Sequence, residues 1–95
     1  MPAVDVFATR YQPQASLSMP PENAGAIVPD DLNDLAVVTR GIYVGVTGDI
    51  TVHMVGAAPG SNVLLKNAQA GSMLPVRVDR VLQTGTNATN LIALW

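Results

Sequence analysis

From Ala24 onward, turn residues interrupt the chain repeatedly, at Pro29-Asp30-Asp31, Thr47-Gly48-Asp49, Pro59-Gly60, Gly71-Ser72 and Thr84-Gly85-Thr86, with 15, 9, 10 and 11 residues between them. Between them lie short runs rich in Val, Ile, Leu and Thr. No run is long enough to carry the apolar stripe of a packed helix, which recurs every three to four residues. Short β-branched segments between regularly spaced turns are the pattern of an antiparallel sandwich or small barrel. The expected fold is therefore all-β: a small antiparallel, jelly-roll-like β-sandwich of about six to eight short strands.

The expected strands follow from the runs. Ala24–Pro29 is a short apolar run, and "DDLNDL" (Asp30–Leu35) is a polar turn, or one helical turn capped by Asp30 or Asp31. "AVVTRGIYVGV" (Ala36–Val46) reads as one strand bent at Gly41 or as two short ones. The stretch "GIYVGVTGDITVHMVG" (Gly41–Gly56) reads as a hairpin turning at Thr47–Asp49. In its second half Ile50, Val52 and Met54 share one face, and Thr51, His53 and Val55 the other. Val63–Ala68 follows. Leu74–Gly85 alternates, with Val76, Val78 and Arg80 opposite Arg77, Asp79 and Val81. Leu91–Trp95 closes the chain. The Ile42–Val46 and Leu91–Trp95 segments, apolar throughout, are expected to be buried on both faces, partly by a neighbouring subunit.

Residues 1–23 differ from the rest, holding four of the seven prolines. Proline removes backbone donors and disfavours regular structure. The segment is read as an extended N-terminal arm on a β-sandwich domain of residues 24–95. Its two aromatics, Phe7 and Tyr11, in an otherwise polar stretch suit an arm lying across a neighbour. Length alone supports one domain beyond the arm.

Composition points the same way. The chain has 95 residues, 48% of them apolar and only 13% charged, against about a quarter charged in typical soluble domains. Too few charges remain to cover a solvated surface, so much of the exterior is expected to face other subunits. A net charge of −2 and dispersed arginines exclude a nucleic-acid partner, which requires a basic patch. No run approaches the ~20 apolar residues of a membrane span, and none resembles a signal peptide. With no cysteine, disulfides, thiolate chemistry and Cys-based zinc sites are excluded.

No catalytic constellation emerges. His53 is the only histidine, and a general base needs an orienting carboxylate and a nucleophile. The nearest acid in sequence, Asp49, sits in a turn, and the serines occupy arm or loop segments without a nucleophile elbow. The expectation is a surface or interface histidine and no enzyme. Asp30, Asp31 and Asp34 cluster, yet "DDLND" lacks the ligand number and the positioned Gly and Glu of a calcium loop, so a turn-capping role is expected and no metal. Asp79 and Arg77 share a strand face, as a surface ion pair would. No phosphate cradle or cofactor motif is present.

The order of motifs resembles the spike base protein family of tailed phages and gene transfer agents. The resemblance rests on "IVPDDLNDLAVVTRGIYVGVTGDITVHMVG" and "NVLLKNAQAGSMLPVRVDRVLQTGTNATNLIALW". Within these, Asp34-Leu35 with Thr39–Gly45, the Gly48-Asp49-Ile50 turn, Ala70–Val78, and Arg80 to the apolar end at Trp95 are similar to family patterns. Asp5–Phe7 resembles the family's start. The resemblance implies a structural virion protein on the outer surface of the capsid. It would be a homo-oligomer, pentamer or trimer, serving as a base for head spikes or fibres and acting by binding alone. The implied partners are sister copies, the major capsid protein and a spike or fibre protein. A cement protein bridging capsomers as a trimer, and a carbohydrate-binding adhesion module, are the alternatives. Phe7, Tyr11, Tyr43, Leu94 and Trp95 are the expected interface residues.

Overall fold

The computed structural model describes residues 21–95. Seven strands form two antiparallel sheets: β1 (Ala24–Ala26), β2 (Gly41–Tyr43), β3 (Gly48–Met54), β4 (Asn62–Ala68), β5 (Met73–Leu74), β6 (Val78–Leu82) and β7 (Ile92–Leu94). One sheet has the order β1-β7-β2-β5 and the other β4-β3-β6. The described residues contain no helix, and the all-β expectation holds. Turn spacing carries that inference, because segments this short can satisfy their backbone groups only by pairing with one another.

The two inner faces make one core. In the four-stranded sheet Gly25, Ala93, Ile42 and Leu74 lie in one row across the strands, and Ile42 and Ala93 are buried. In the three-stranded sheet Ile50, Val52, Val78 and Val81 are buried. The β3 alternation is as expected, since Ile50 and Val52 point inward with Met54 packed against the same cluster. Gly25 suits this packing: a Cβ there would stand 3.1 Å from the Trp95 ring and crowd it.

Three sequence expectations are corrected. Gly41–Gly56 is not a hairpin. β2 pairs with β5 and β7, while β3 pairs with β4 and β6, so the chain between them crosses from one sheet to the other. The crossing is tight. The Asp49 carbonyl accepts the Asn87 and Ala88 N–H groups, and a Cβ on Gly48 would stand 2.6 Å from the Ala88 nitrogen.

The Ala36–Val46 run also changes sheets. The Thr39 N–H donates to Val78 of β6, and the next N–H, that of Arg40, donates to Leu94 of β7. The Thr39 hydroxyl, fully buried, donates to the Val76 carbonyl at 2.8 Å and accepts the Val78 N–H at 3.0 Å. Only Gly41–Tyr43 of this run is strand, and within the single chain Tyr43 and Val46 are exposed.

β6 does not alternate strictly. Its register against β3 shifts between His53↔Arg80 and Met54↔Val78, which leaves Asp79 as the extra residue of a β-bulge. Val78 and Val81 both reach the core, although strict alternation would put them on opposite faces.

Edges are treated unequally. The outer side of β6 is paired by the chain's own 30–39 segment, whose Asp30, Leu35 and Thr39 N–H groups donate to Val81, Asp79 and Val78. At the start of the described chain, the Glu22 and Asn23 N–H groups donate to the Trp95 carbonyl, and Trp95 donates back to Asn23. Among the described residues, no strand pairs with the outer side of β4.

Candidate functional site

The outer face of the three-stranded sheet carries a polar network. His53 Nδ1 lies 2.7 Å from Asp79 Oδ1, and Nε2 lies 2.9 Å from the Ala58 carbonyl. The bulge builds this site, because it turns Asp79 outward beside His53 while Val78 and Val81 stay inside. Sequence proximity had suggested Asp49, but its carboxylate accepts the Asn67 N–H at 2.9 Å. The true partner is 26 residues away and visible only once strand pairing is known.

The geometry defines what His53 can do. A carbonyl only accepts, so Nε2 carries a hydrogen, and Nδ1 faces a carboxylate, which favours a second. The Ala58 carbonyl first, and the Asp79 carboxylate second, raise the imidazole pKa above its ordinary value. Both bonds stabilise the imidazolium. With both nitrogens occupied, the ring has no lone pair aimed at a substrate. Through these two bonds the ring ties β3 to the bulge of β6 and to the turn at Ala58, most strongly when protonated.

The three acids of "DDLND" take separate partners. Asp30 accepts the Leu32 and Asn33 N–H groups, a capping geometry within its own turn. Asp31 accepts the Thr84 hydroxyl at 2.6 Å and the Thr84 N–H at 2.9 Å. Asp34 pairs with Arg80 at 2.8 Å, and Arg80 also donates to the Asp31 carbonyl. The Asp30 carboxyl is held below its ordinary pKa chiefly by the Leu32 N–H, and that of Asp31 chiefly by the Thr84 hydroxyl. The carboxylates diverge onto protein donors rather than converging on a point. Together they lash the 30–35 loop to β6 and the turn after it.

The second candidate surface is apolar. The outward rows of the four-stranded sheet are Ala24, Leu94 and Gly41, then Ala26, Ile92, Tyr43 and Met73. No charged side chain interrupts them. Tyr43 is 42% exposed and Met73 51%, and Leu94 is half-buried. Two of the expected interface residues, Tyr43 and Leu94, thus share one face. Trp95 is half-buried and turned inward over Gly25. Phe7 and Tyr11 lie outside the described residues.

A third feature escaped the sequence reading. β4 is exposed along most of its length, with Val63 and Leu64 nearly half exposed. The hint in the sequence was the single lysine, Lys66, set in an apolar strand, a frequent guard of an uncovered edge.

Among the described residues, the two-sheet β-domain thus presents an uncharged sheet face and an uncovered strand edge. Comparison with known proteins gives a clear relation. No family model matches the chain, and no curated protein sequence matches it. A solved structure does: a chain from the capsid of a native gene transfer agent particle, computed with C5 symmetry. It matches 97% of this chain and 100% of its own length, with 34% identity and a TM-score of 0.73. At that identity over the full length of both, this chain belongs to the same family as that capsid chain.

Proposed function

We propose that the protein is a structural component of a phage-like or gene transfer agent capsid. In this reading it sits on the outer capsid surface as a homo-oligomeric base for head spikes or fibres and acts by binding without turnover. The observation that carries the proposal is its family membership with a chain of a gene transfer agent capsid over the full length of both. The uncharged outer face of the four-stranded sheet supports it, since an obligate contact surface resembles a core cut in half. Tyr43 and Leu94 are the contact residues on that face. Phe7 and Tyr11 of the arm, and Trp95 at the margin of β7, complete the proposed interface set.

Imaging tests the proposal. Particles made with the native chain should show density on the capsid exterior that is lost when the chain is deleted and restored on adding it back. Five copies about a vertex fit a spike base, and three at a capsomer junction fit a cement protein instead. Tyr43→Glu with Leu94→Glu should keep the fold and abolish restoration. Particles identical with and without the chain would sink a capsid role. Glycan binding abolished by Tyr43→Ala would favour an adhesion module.

A further inference from the structure

The β4 edge opens onto a groove where the two sheets part. Its volume is about 540 Å³, and Leu64, Leu65, Ala68, Leu74 and Val76 line it with predominantly apolar surface. An uncovered strand beside an apolar groove is a template for strand addition. We infer that this edge receives residues 4–8 of a second copy, the segment "VDVFA", as an added antiparallel strand.

Pattern and charge give the register. Along β4, Leu64 lies opposite Thr51 and Leu65 opposite the buried Ile50, so Leu64 and Lys66 share the outward face at the rim of the groove while Leu65 points to its core side. An antiparallel strand placing Asp5 opposite Lys66 sets Phe7 opposite Leu64 and Val6 opposite Leu65. The only lysine then meets a carboxylate, the phenyl ring covers an exposed leucine, and Val6 enters the groove. A parallel strand satisfies only one of the outward pairs.

Topology makes the donor a neighbour. β4 and β5 flank the groove on one side of the sandwich. Strand order then places β1 and β6 on the opposite side, where Asp30 just after β1 bonds to Val81 of β6. The arm joins the domain at this far side, through Glu22 and Asn23. To fill its own groove it would have to wrap around a sheet. A neighbour set side by side presents its groove to the departing arm, and the contact is head-to-tail, the type that closes rings. The fourteen residue-to-residue steps from Phe7 to Pro21 span at most about 46–50 Å, ample to reach across such a junction.

The inference rests on the self-association in the reading above. Capsid attachment and this linkage are measured separately, so either can fail while the other holds. The chain lacks cysteine, so introduced pairs are unambiguous. Phe7→Cys on one tagged copy is mixed with Leu64→Cys on another, and Val6→Cys with Leu65→Cys. Adjacent antiparallel pairs alternate between the hydrogen-bonded and the closer non-hydrogen-bonded type, so one of the two suits a disulfide. Oxidation should join the copies, whereas Phe7→Cys with the off-register Asn62→Cys should not. Both cysteines on one chain should yield closed or laddered multimers, not a cross-linked monomer. Leu64→Lys should weaken self-association about tenfold, and deletion of residues 1–20 should cost less in that background than in the wild type. Cross-linking only within a chain, no cross-link in either matched pair, additive losses, or a wild type monomeric at every soluble concentration would each overturn the inference.

Discussion

The His53 imidazolium ties stability to pH. Its pKa is raised, first by the Ala58 carbonyl and then by Asp79. A raised histidine contributes fully below its unfolded value, near 6.5, and that contribution fades as pH rises through the higher folded value. Asp30 and Asp31 act with the opposite sign. Their pKa values are lowered by the Leu32 N–H and the Thr84 hydroxyl, so their contribution is present above the unfolded carboxylate value, about 3.9, and is lost as pH falls through the folded values. These three groups together favour the fold most between those limits. Melting temperature measured against pH should therefore fall on the alkaline limb, as pH rises above the unfolded histidine value near 6.5. His53→Gln, which keeps a donor but no titratable charge, should flatten that limb, leave the acid limb intact, and cost about 1 kcal/mol near pH 6. An unchanged alkaline limb in the variant would remove the clamp role from His53.

At the scale of elements, Thr39 is the joint on which the crossover turns. Its hydroxyl bridges Val76 and Val78, and its N–H reaches the Val78 carbonyl. Thr39→Val keeps the shape but strands a buried donor and acceptor, at about 1–3 kcal/mol each when left unpaired. Thr39→Ser keeps the bridge and loses only a methyl group. Chemical denaturation should rank wild type, then Ser, with Val clearly lowest; equal losses for Ser and Val would mean that packing, not the bridge, is what matters.

The crossover also shows where the sequence stops being readable. Strands were legible because β-branched runs and turn residues are local signals. Pairing was not. "GIYVGVTGDITVHMVG" has the outline of a hairpin, yet its halves enter different sheets because Tyr43 finds Met73 and Ile92 as partners. The bulge at Asp79 was hidden for the same reason. "VRVDRV" alternates only as far as the Asp79-Arg80 doublet, and it is the register against β3 that identifies Asp79 as the extra residue. Hence the His53–Asp79 link was invisible in the sequence.

At the scale of the whole molecule, the fully buried side chains are small: Ile42, Ile50, Val44, Val52, Val78, Val81 and Thr39. Small domains bury a limited share of their surface, and below about 70–80 residues one core rarely supplies more than a few kcal/mol. An uncharged sheet face and an uncovered strand edge remain outside that core. Covering them by self-association would couple assembly to folding, and by mass action a protein stabilised this way melts higher as its concentration rises. Where association is near saturation, a hundredfold rise in free partner adds about 2.7 kcal/mol, and each kcal/mol moves the midpoint of a domain this size by about 4–8 °C. Scanning calorimetry over such a range should therefore show a midpoint climbing by several degrees or more. Leu64→Lys, aimed at the β4 edge, should flatten the climb while leaving the dilute-limit midpoint near the wild-type value, because Leu64 is already 47% exposed. A midpoint independent of concentration in the wild type would mean that the core is sufficient by itself and that the apolar exterior serves only contacts with other proteins.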